Sequence, residues 1–283
     1  MTLAITGATG QLGRLAIAAL KARGLEEPIV ALARDPAKAA DLGVEVRRAD
    51  YREPESLAAA LQGIDRLVLI SASEFDDRAG QHRNVIEAAK AAGVKHLVYT
   101  SILKGLDSPA LIAEDHKATE KEIAASGIPA TILRNGWYTE NYTGSLDGAL
   151  AAGAMIGSAG DGKLSTAARA DYAEAIAVVL TEPGHVGKIY ELAGDTAYTH
   201  AEMAAEVSKI AGKAIPYNDL PEAEYRGVLE SFGLPGPVAA ILADADARAG
   251  DRGSLFDDSR TLSGLIGRPT TPMAETVAAA LAG

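Results

Sequence analysis

The feature that most constrains this chain is a glycine-rich turn near residue 10. The apolar run Leu3–Ile5 is followed by glycines at the spacing Gly-x-x-Gly-x-x-Gly, and apolar residues then recur with a helical period up to Leu20. This order predicts a strand, a tight turn and a helix whose free N–H groups and positive dipole end face a phosphate. The pattern favours dinucleotide binding over a plain turn between a strand and a helix. The predicted phosphate-binding residues are Gly7, Ala8, Thr9, Gly10, Gln11, Leu12 and Gly13.

The alternation of buried strand and helix continues through the first half of the chain. We predict strands at residues 28–33, 44–46, 65–71, 96–101 and 130–134, and helices at residues 36–42, 54–61, 80–92 and 111–126. Continuous apolar strands are typical of a sheet covered on both faces, and the strand–helix–strand order implies parallel pairing. The sequence therefore predicts an α/β fold with a Rossmann-type doubly wound parallel sheet.

The regular alternation of strand and helix ends beyond Asn135. We expect a helix over residues 138–151, a strand at 154–156, a helix at 171–180 and a strand at 188–192. Thr199 is then the expected N-cap of a helix, with Glu202 as its capping-box partner, and short helices follow at residues 221–232, 237–247 and 259–266. We assign residues 1–137 to an NAD(P)-binding domain and residues 138–283 to a smaller α/β substrate-binding lobe, parts of which interleave with the first domain.

Charge and composition narrow the classes of partner. The formal net charge of −11 opposes binding to a nucleic-acid backbone, and the absence of cysteine excludes disulfides, thiol catalysis and cysteine-ligated clusters. The first strand begins at residue 3 without a basic and apolar leader, and no apolar run reaches membrane length. We therefore expect a cytoplasmic protein that binds neither nucleic acid nor a membrane.

Several short motifs together carry a family resemblance. They include Thr-Gly-Ala-Thr-Gly-Gln-Leu-Gly at residues 6–13, Ala-Arg-Asp-Pro-Ala-Lys at 33–38, Arg-Asn-Gly-Trp-Tyr at 134–138, Gly-Asp-Gly-Lys at 160–163 and Arg-Ala-Asp-Tyr-Ala at 169–173. In these motifs the chain resembles the NmrA-like atypical short-chain dehydrogenases, and within them the members that reduce quinones. The resemblance spans nearly the whole chain and implies a Rossmann fold, NADPH as cofactor with NADH weaker, and a small-molecule quinone as substrate.

Each further candidate cofactor residue has a structural alternative. Arg34 follows the second strand, where an arginine can accept the 2′-phosphate of NADPH, and the alternative is a surface arginine paired with Asp35. The family resemblance implies further cofactor-binding residues: small residues after the fourth strand, a segment after the sixth strand and a later arginine. These residues are Ser71, Ala72, Ser73, Gly136, Trp137, Tyr138, Thr139, Glu140, Asn141 and Arg169. In the structural alternatives, residues 71–73 merely end a strand, the aromatics Trp137 and Tyr138 pack between the two lobes, and Arg169 is a surface charge at a helix end.

Other apparent motifs point away from metals and from the usual short-chain dehydrogenase chemistry. Leu164 replaces the Ser or Thr that a P-loop at residues 157–164 requires, and the histidines lack metal-ligand spacing. We expect no metal and no flavin. No tyrosine has a lysine four residues later, so a tyrosine–lysine proton relay is not indicated. The catalytic residue stays unknown, with Tyr138 and Lys117 as candidates and water as the alternative proton donor.

The favoured function is an NADPH-dependent reductase that transfers hydride to quinones. One alternative is a non-catalytic NADP-binding redox sensor of the NmrA-like type, and another is an isoflavone-reductase-like enzyme with a different substrate. The missing Tyr-x-x-x-Lys motif disfavours a sugar-nucleotide epimerase. The sequence does not indicate an oligomeric state.

Overall fold

A seven-stranded sheet is the framework of the computed structural model, which describes residues 1–74, 76–249 and 253–282. The strands in these residues are β1 (Leu3–Ile5), β2 (Ile29–Ala33), β3 (Glu45–Arg48), β4 (Arg66–Leu69), β5 (His96–Ile102), β6 (Ala130–Asn135), β7 (Met155–Gly157), β8 (Ile189–Leu192) and β9 (Tyr217–Asp219). The sheet has the order β3-β2-β1-β4-β5-β6-β8, and β7 and β9 form a separate parallel pair. The pairs β1–β2, β2–β3, β1–β4 and β4–β5 are parallel. The predicted Rossmann-type α/β sheet is confirmed.

Helices alternate with these strands and then dominate the C-terminal part. They are α1 (Gln11–Ala22), α2 (Pro54–Ala60), α3 (Arg78–Ala91), α4 (Ala113–Ser126), α5 (Glu140–Thr143), α6 (Leu146–Ala152), α7 (Arg169–Thr181), α8 (His200–Ala211), α9 (Glu222–Ser231), α10 (Gly236–Ala247), α11 (Thr261–Ile266) and α12 (Met273–Ala282). Short 3₁₀ helices cover Pro36–Leu42 and Gly105–Asp107. Among the described residues, no helix is both long and apolar enough to cross a membrane.

The strand order reverses next to β1. From β1 the chain runs outward to β2 and β3 on one side, and β4 and β5 continue on the other side. In open α/β sheets, ligands bind beyond the carboxyl ends of the strands at such a switch point. The residues directly after β1 and β4 therefore define the expected binding edge of this sheet.

The chain divides into two compact units, each with its own apolar core. The first consists of Met1–Gly105, Asp115–Arg134 and Tyr172–Tyr190, and the second of Leu106–Glu114, Asn135–Asp171 and Glu191–Gly283. Leu32, Leu67 and Tyr99 belong to the core of the first unit, and Trp137 and Met203 to that of the second. The assignment of residues 1–137 to cofactor binding and 138–283 to substrate binding concerns function and stays a prediction.

Local signals predicted the helix ends well. Thr199 caps α8 by accepting from the Glu202 amide at 3.1 Å, and the Glu202 carboxylate accepts from the Thr199 amide at 2.7 Å, so the capping box is confirmed. Asp35 caps the Pro36–Leu42 helix through the Ala37 amide at 3.1 Å. Gly43 ends that helix in the left-handed conformation that suits glycine.

Two expectations about the later part of the chain need correction, and two elements there were missed. The single helix expected over residues 138–151 is two helices, α5 and α6, because the chain turns at Gly144 and Ser145. The strand at 188–192, expected in the C-terminal lobe, is strand β8 of the main sheet, where the Ile132 amide donates to the Lys188 carbonyl at 2.9 Å. Strand β9 and helix α12 were not expected at all, because short or alanine-rich segments carry little periodic signal.

Candidate functional site

The glycine turn, residues 7–13, leaves β1 and opens α1 in the geometry that the sequence predicts. Gly7 has φ +59°, a left-handed conformation that glycine adopts without strain. A Cβ on Gly13 would lie 2.3 Å from the Gly7 carbonyl oxygen and 2.8 Å from Ala8 Cα, so only glycine allows helix and turn to pack this closely. Gly10 is the N-cap of α1 and provides no side-chain cap. The first amides of α1 are therefore open to an anionic ligand.

The turn is fixed to the neighbouring strand ends by polar contacts. Thr6 Oγ1 donates to the Val68 carbonyl at 3.1 Å and accepts from the Ile70 amide at 3.0 Å. The Tyr51 hydroxyl donates to the Ile70 carbonyl at 2.9 Å and also contacts Thr6 Oγ1. The Ala8 amide donates to the Leu32 carbonyl at 3.3 Å. These bonds hold the carboxyl ends of β1, β2 and β4 together around the glycine turn.

Arg34 follows β2 at this edge and is ion-paired with Glu74, not with Asp35. Its guanidinium contacts Glu74 Oε1, while Arg52 contacts Glu74 Oε2. The partner that the alternative interpretation expected, Asp35, caps the following 3₁₀ helix through the Ala37 amide. A role of Arg34 in cofactor binding stays a prediction. The Arg34 side chain keeps 62% of its surface exposed and is accessible to a ligand.

Residues 71–73 continue from β4 at the same edge. The Ser71 amide donates to Thr100 Oγ1 at 2.9 Å, and the Ala72 amide donates to His82 Nε2 at 3.0 Å. Arg78, buried in α3 and ion-paired with Asp115 at 3.0 Å, lies 3.5 Å from the Ala72 carbonyl oxygen. The backbone of this strand end is therefore fixed by buried side chains of β5 and α3.

In the second unit, segment 135–141 is anchored by backbone pairing. The Gly136 amide donates to the Leu192 carbonyl at 2.7 Å, and the Thr139 amide donates to the Ala167 carbonyl at 3.0 Å. Asn135 is buried, and its Oδ1 has no hydrogen-bond partner among the described residues. A buried amide oxygen without a partner is costly unless a ligand or water donates to it.

Arg169 contacts three of the other predicted residues of that unit. The Glu140 carboxylate accepts from the Arg169 amide at 2.9 and 3.0 Å and so caps α7. The Arg169 guanidinium lies 4.7 Å from the centre of the Tyr138 ring and donates to Asn141 Oδ1 at 3.3 Å. Arg169, Tyr138, Glu140 and Asn141 are therefore a connected group, whereas Trp137 is buried in the apolar core of this unit. Trp137 packs within this core, and its contact with the cofactor stays a prediction.

The two candidate proton donors lie in different units. Lys117 is half-buried on α4, next to His116, which is hydrogen-bonded to the Tyr99 hydroxyl at 2.7 Å. Tyr138 belongs to the Arg169 group, and burial raises the pKa of its phenol above the usual range. The phenol therefore stays protonated at neutral pH but is a weaker acid than a free phenol, and its role as proton donor stays a prediction.

Sequence reasoning missed several residues that shape the site. They are Arg52, Glu74 and His82. Their positions after strands, or in a helix next to a strand end, are a weak signal in the sequence. They were missed because their contacts join residues that are far apart in the sequence. Among the described residues, no group of three or more His, Asp or Glu side chains could hold a metal ion.

Comparison with known proteins identifies relatives over the whole chain. Quinone oxidoreductase 2 of Escherichia coli K12 is 54% identical over 278 residues, which cover 97% of either chain. A crystal structure of the NADPH-dependent quinone oxidoreductase of that organism, complexed with NADPH, has a TM-score of 0.94 at 53% identity and covers 99% of both chains. The triphenylmethane reductase of Citrobacter sp., complexed with NADP(H), has a TM-score of 0.90 at 38% identity and covers 98% of this chain and 99% of its own.

The family match covers more than half of the chain. Residues 7–183 match the family described as NAD(P)H-binding, a range that includes the glycine turn, Arg34 and Arg169. An NmrA-like oxidoreductase of Aspergillus flavus is 30% identical over 76% of this chain. The chain belongs to the NAD(P)H-binding family, among its NmrA-like members.

Proposed function

We propose that this protein is an NADPH-dependent reductase that transfers hydride to quinones. The glycine turn carries the cofactor part of the proposal, because an added Cβ at Gly13 would collide with the backbone and because α1 begins without a side-chain cap. The quinone part is supported by relatives that are named for this activity at 53–54% identity over nearly the whole chain.

The residues of the first unit fit the adenine half of NADPH. The amides of residues 11–13 suit the pyrophosphate, since a helix N-terminus binds anions through free N–H groups and its dipole. Arg34 suits the 2′-phosphate, since guanidinium groups bind phosphate through two parallel hydrogen bonds. Residues 71–73 suit the ribose and pyrophosphate edge, because their backbone is held in one position.

In the second unit, we assign segment 135–141 and Arg169 to the nicotinamide half and the acceptor. The unpartnered Asn135 oxygen can accept a hydrogen bond from a carboxamide. The Arg169 guanidinium orients the Tyr138 ring by stacking on it.

Bound NADPH supplies a hydride, and a quinone takes up that hydride and one proton to become a hydroquinone. The protein has to hold donor and acceptor at reacting distance and exclude competing geometries. The negative charge that develops on the quinone oxygen is delocalised over an aromatic ring, so proton delivery is not demanding. Tyr138 is one candidate proton donor, and solvent water is the alternative source.

The test is NADPH oxidation by the purified protein with a panel of quinones. We expect consumption well above the nonenzymatic rate, one NADPH per hydroquinone formed, without a flavin spectrum and without loss of activity on chelation. Tight NADPH binding without turnover of any quinone would support the redox-sensor alternative instead. Activity lost on chelation and restored by a metal would contradict the proposal that NADPH alone suffices.

A further inference from the structure

Glu74 lies between two arginines at the carboxyl edge of the sheet. Its Oε1 contacts Arg34, which follows β2, and its Oε2 contacts Arg52, which follows β3. The two arginines follow neighbouring parallel strands, because β2 and β3 pair up to Ala33 and Arg48. One carboxylate therefore holds two guanidinium groups that the sequence places 18 residues apart.

The charges of this cluster do not balance. Two guanidinium groups carry +2 and one carboxylate carries −1, so the Arg34–Glu74–Arg52 cluster has an excess positive charge. Glu74 itself keeps a third of its side chain exposed, and both arginines keep more than half. Each guanidinium therefore retains donors for a further anion. A phosphate monoester carries close to two negative charges at neutral pH and offers three acceptor oxygens.

We propose that Arg52 is a second ligand of the NADPH 2′-phosphate and that Glu74 competes with this phosphate for both arginines. The inference rests on the proposed function, since it concerns the same cofactor edge. Without cofactor, Glu74 holds Arg34 and Arg52 together. The 2′-phosphate replaces Glu74 at both guanidinium groups, and the Glu74 carboxylate moves away from the bound dianion. NADH has a hydroxyl at that position and leaves Glu74 in place.

An ordinary surface ion pair at the end of β3 serves as a comparison for this cluster. Arg48, at the end of β3, contacts both oxygens of Glu53 at 2.7 Å. In this pair one guanidinium charge balances one carboxylate charge, so the pair is neutral. The Arg48 side chain has the same exposure as that of Arg52, 52%. Arg48 and Glu53 are therefore matched controls for Arg52 and Glu74.

The experiment compares dissociation constants for NADPH and NADH by fluorescence titration. The variants are Arg52→Ala and Glu74→Gln, with Arg48→Ala and Glu53→Gln as controls. Arg52→Ala should weaken NADPH binding about three- to tenfold, the range for one partly exposed ion pair with a dianion. Glu74→Gln should tighten NADPH binding by a similar factor, because the competitor and its repulsion of the phosphate are both removed. Both variants should bind NADH within about twofold of the parent.

Each contrary result has a distinct meaning. Equal changes for NADPH and NADH, or no change in Arg52→Ala, would overturn the role of Arg52. Weaker NADPH binding by Glu74→Gln would show that Glu74 orients the arginines and does not compete. A parent protein that binds neither nucleotide would contradict the proposed function itself. The control variants should match the parent with both nucleotides.

Discussion

The Ala72 amide donates to Nε2 of His82 at 3.0 Å, so a histidine of α3 holds the strand end that we assign to the cofactor. Because an amide can only donate, Nε2 is the acceptor and Nδ1 carries the proton. Nδ1 then donates to Thr119 Oγ1 at 2.9 Å, and the Thr119 hydroxyl donates to the Asp115 carbonyl at 2.7 Å. Burial lowers the pKa of His82 to about 3, so the ring stays neutral and can accept from Ala72.

The first prediction is that His82 positions Ala72 and that its loss affects cofactor binding as well as stability. His82→Leu leaves the Ala72 amide without its acceptor, which should lower the free energy of unfolding by about 1–3 kcal/mol and weaken NADPH binding. His96 is the matched control: it is also buried, but it bonds to Thr131 at 2.8 Å at the start of β5. His96→Leu should reduce stability and leave the NADPH dissociation constant unchanged. Equal affinities of both variants would refute the positioning role.

The second prediction is a loss of stability in mild acid. Burial is the largest cause of lowered pKa values in four histidines: His82 to about 3, His96 to about 4, His116 well below its usual value and His200 below it. In the unfolded chain each of them binds a proton near pH 6.5, whereas the folded protein does not. The unfolded state therefore binds more protons, and stability falls as the pH falls from about 6.5 toward 4, by about 1.4 kcal/mol per pH unit for each histidine.

Urea unfolding at several pH values between 7.5 and 4.5 measures this slope. The difference between the parent and His96→Leu isolates one histidine, because other groups titrate in both proteins. Among these is Asp246, whose pKa burial raises and whose effect on stability has the opposite sign. The stability deficit of His96→Leu should shrink as the pH falls. A deficit that stays constant over this range would contradict the prediction.

The sequence predicted correctly those elements whose structure depends on residues close together in the chain. The glycine turn, the apolar strands and the Thr199 capping box depend on residues within a few positions of each other, and all three occur in the structure. The break between α5 and α6 depends on a turn at Gly144 and Ser145 that a helical apolar pattern does not show.

Contacts between distant residues were beyond such reasoning. The membership of β8 in the main sheet depends on pairing with a strand more than 50 residues earlier. Glu74 meets Arg34 across 40 residues and Arg52 across 22 residues, and nothing near Arg34 in the sequence indicates this partner. The candidate site was therefore predictable as strand ends and glycines, but not as a network of charges.

The third prediction concerns the preference for NADPH. Arg34→Ala removes a charge-assisted phosphate contact worth roughly 1.5–3 kcal/mol, so NADPH binding should weaken by roughly ten- to a hundredfold. NADH binding should hardly change, because the variant loses no contact to a 2′-hydroxyl. Titration of both nucleotides against parent and variant measures the two effects. Equal losses for NADPH and NADH would exclude a 2′-phosphate role for Arg34.

The fourth prediction separates turnover from cofactor capture at Tyr138. Tyr138→Ala removes the ring on which Arg169 stacks, and it should cut kcat/KM for quinones more than tenfold while the NADPH dissociation constant stays within about threefold. Tyr138→Phe keeps the ring and loses only the hydroxyl. It should stay within about threefold of the parent rate, because water can supply the proton.

Thermal melting has to accompany the kinetics of these variants. Loss of a buried aromatic side chain can destabilise a protein by about 3–5 kcal/mol and lower binding and turnover together. If a folded Tyr138→Ala protein binds NADPH and reduces quinones at the parent rate, segment 135–141 is not the acceptor site. A large loss in Tyr138→Phe would instead identify the phenol as the proton donor.

The fifth prediction tests the close packing of α1 against the glycine turn. In Gly13→Ala the new methyl group would lie 2.3 Å from the Gly7 carbonyl oxygen and 2.8 Å from Ala8 Cα. Both atoms belong to the backbone, so no rotamer change relieves the clash and α1 has to move. We expect the free energy of unfolding to fall by about 1–3 kcal/mol or more and NADPH binding to weaken.

Gly148 in α6 is the matched control, because a Cβ there meets nothing within 4 Å and its φ is not left-handed. Gly148→Ala should stabilise the protein by roughly 0.5–1 kcal/mol, since alanine loses less backbone entropy in a helix than glycine. Urea unfolding and NADPH titration of both variants provide the comparison. A Gly13→Ala protein as stable as the parent, with unchanged NADPH affinity, would show that the turn can widen freely and that its tight geometry is not what binds the pyrophosphate.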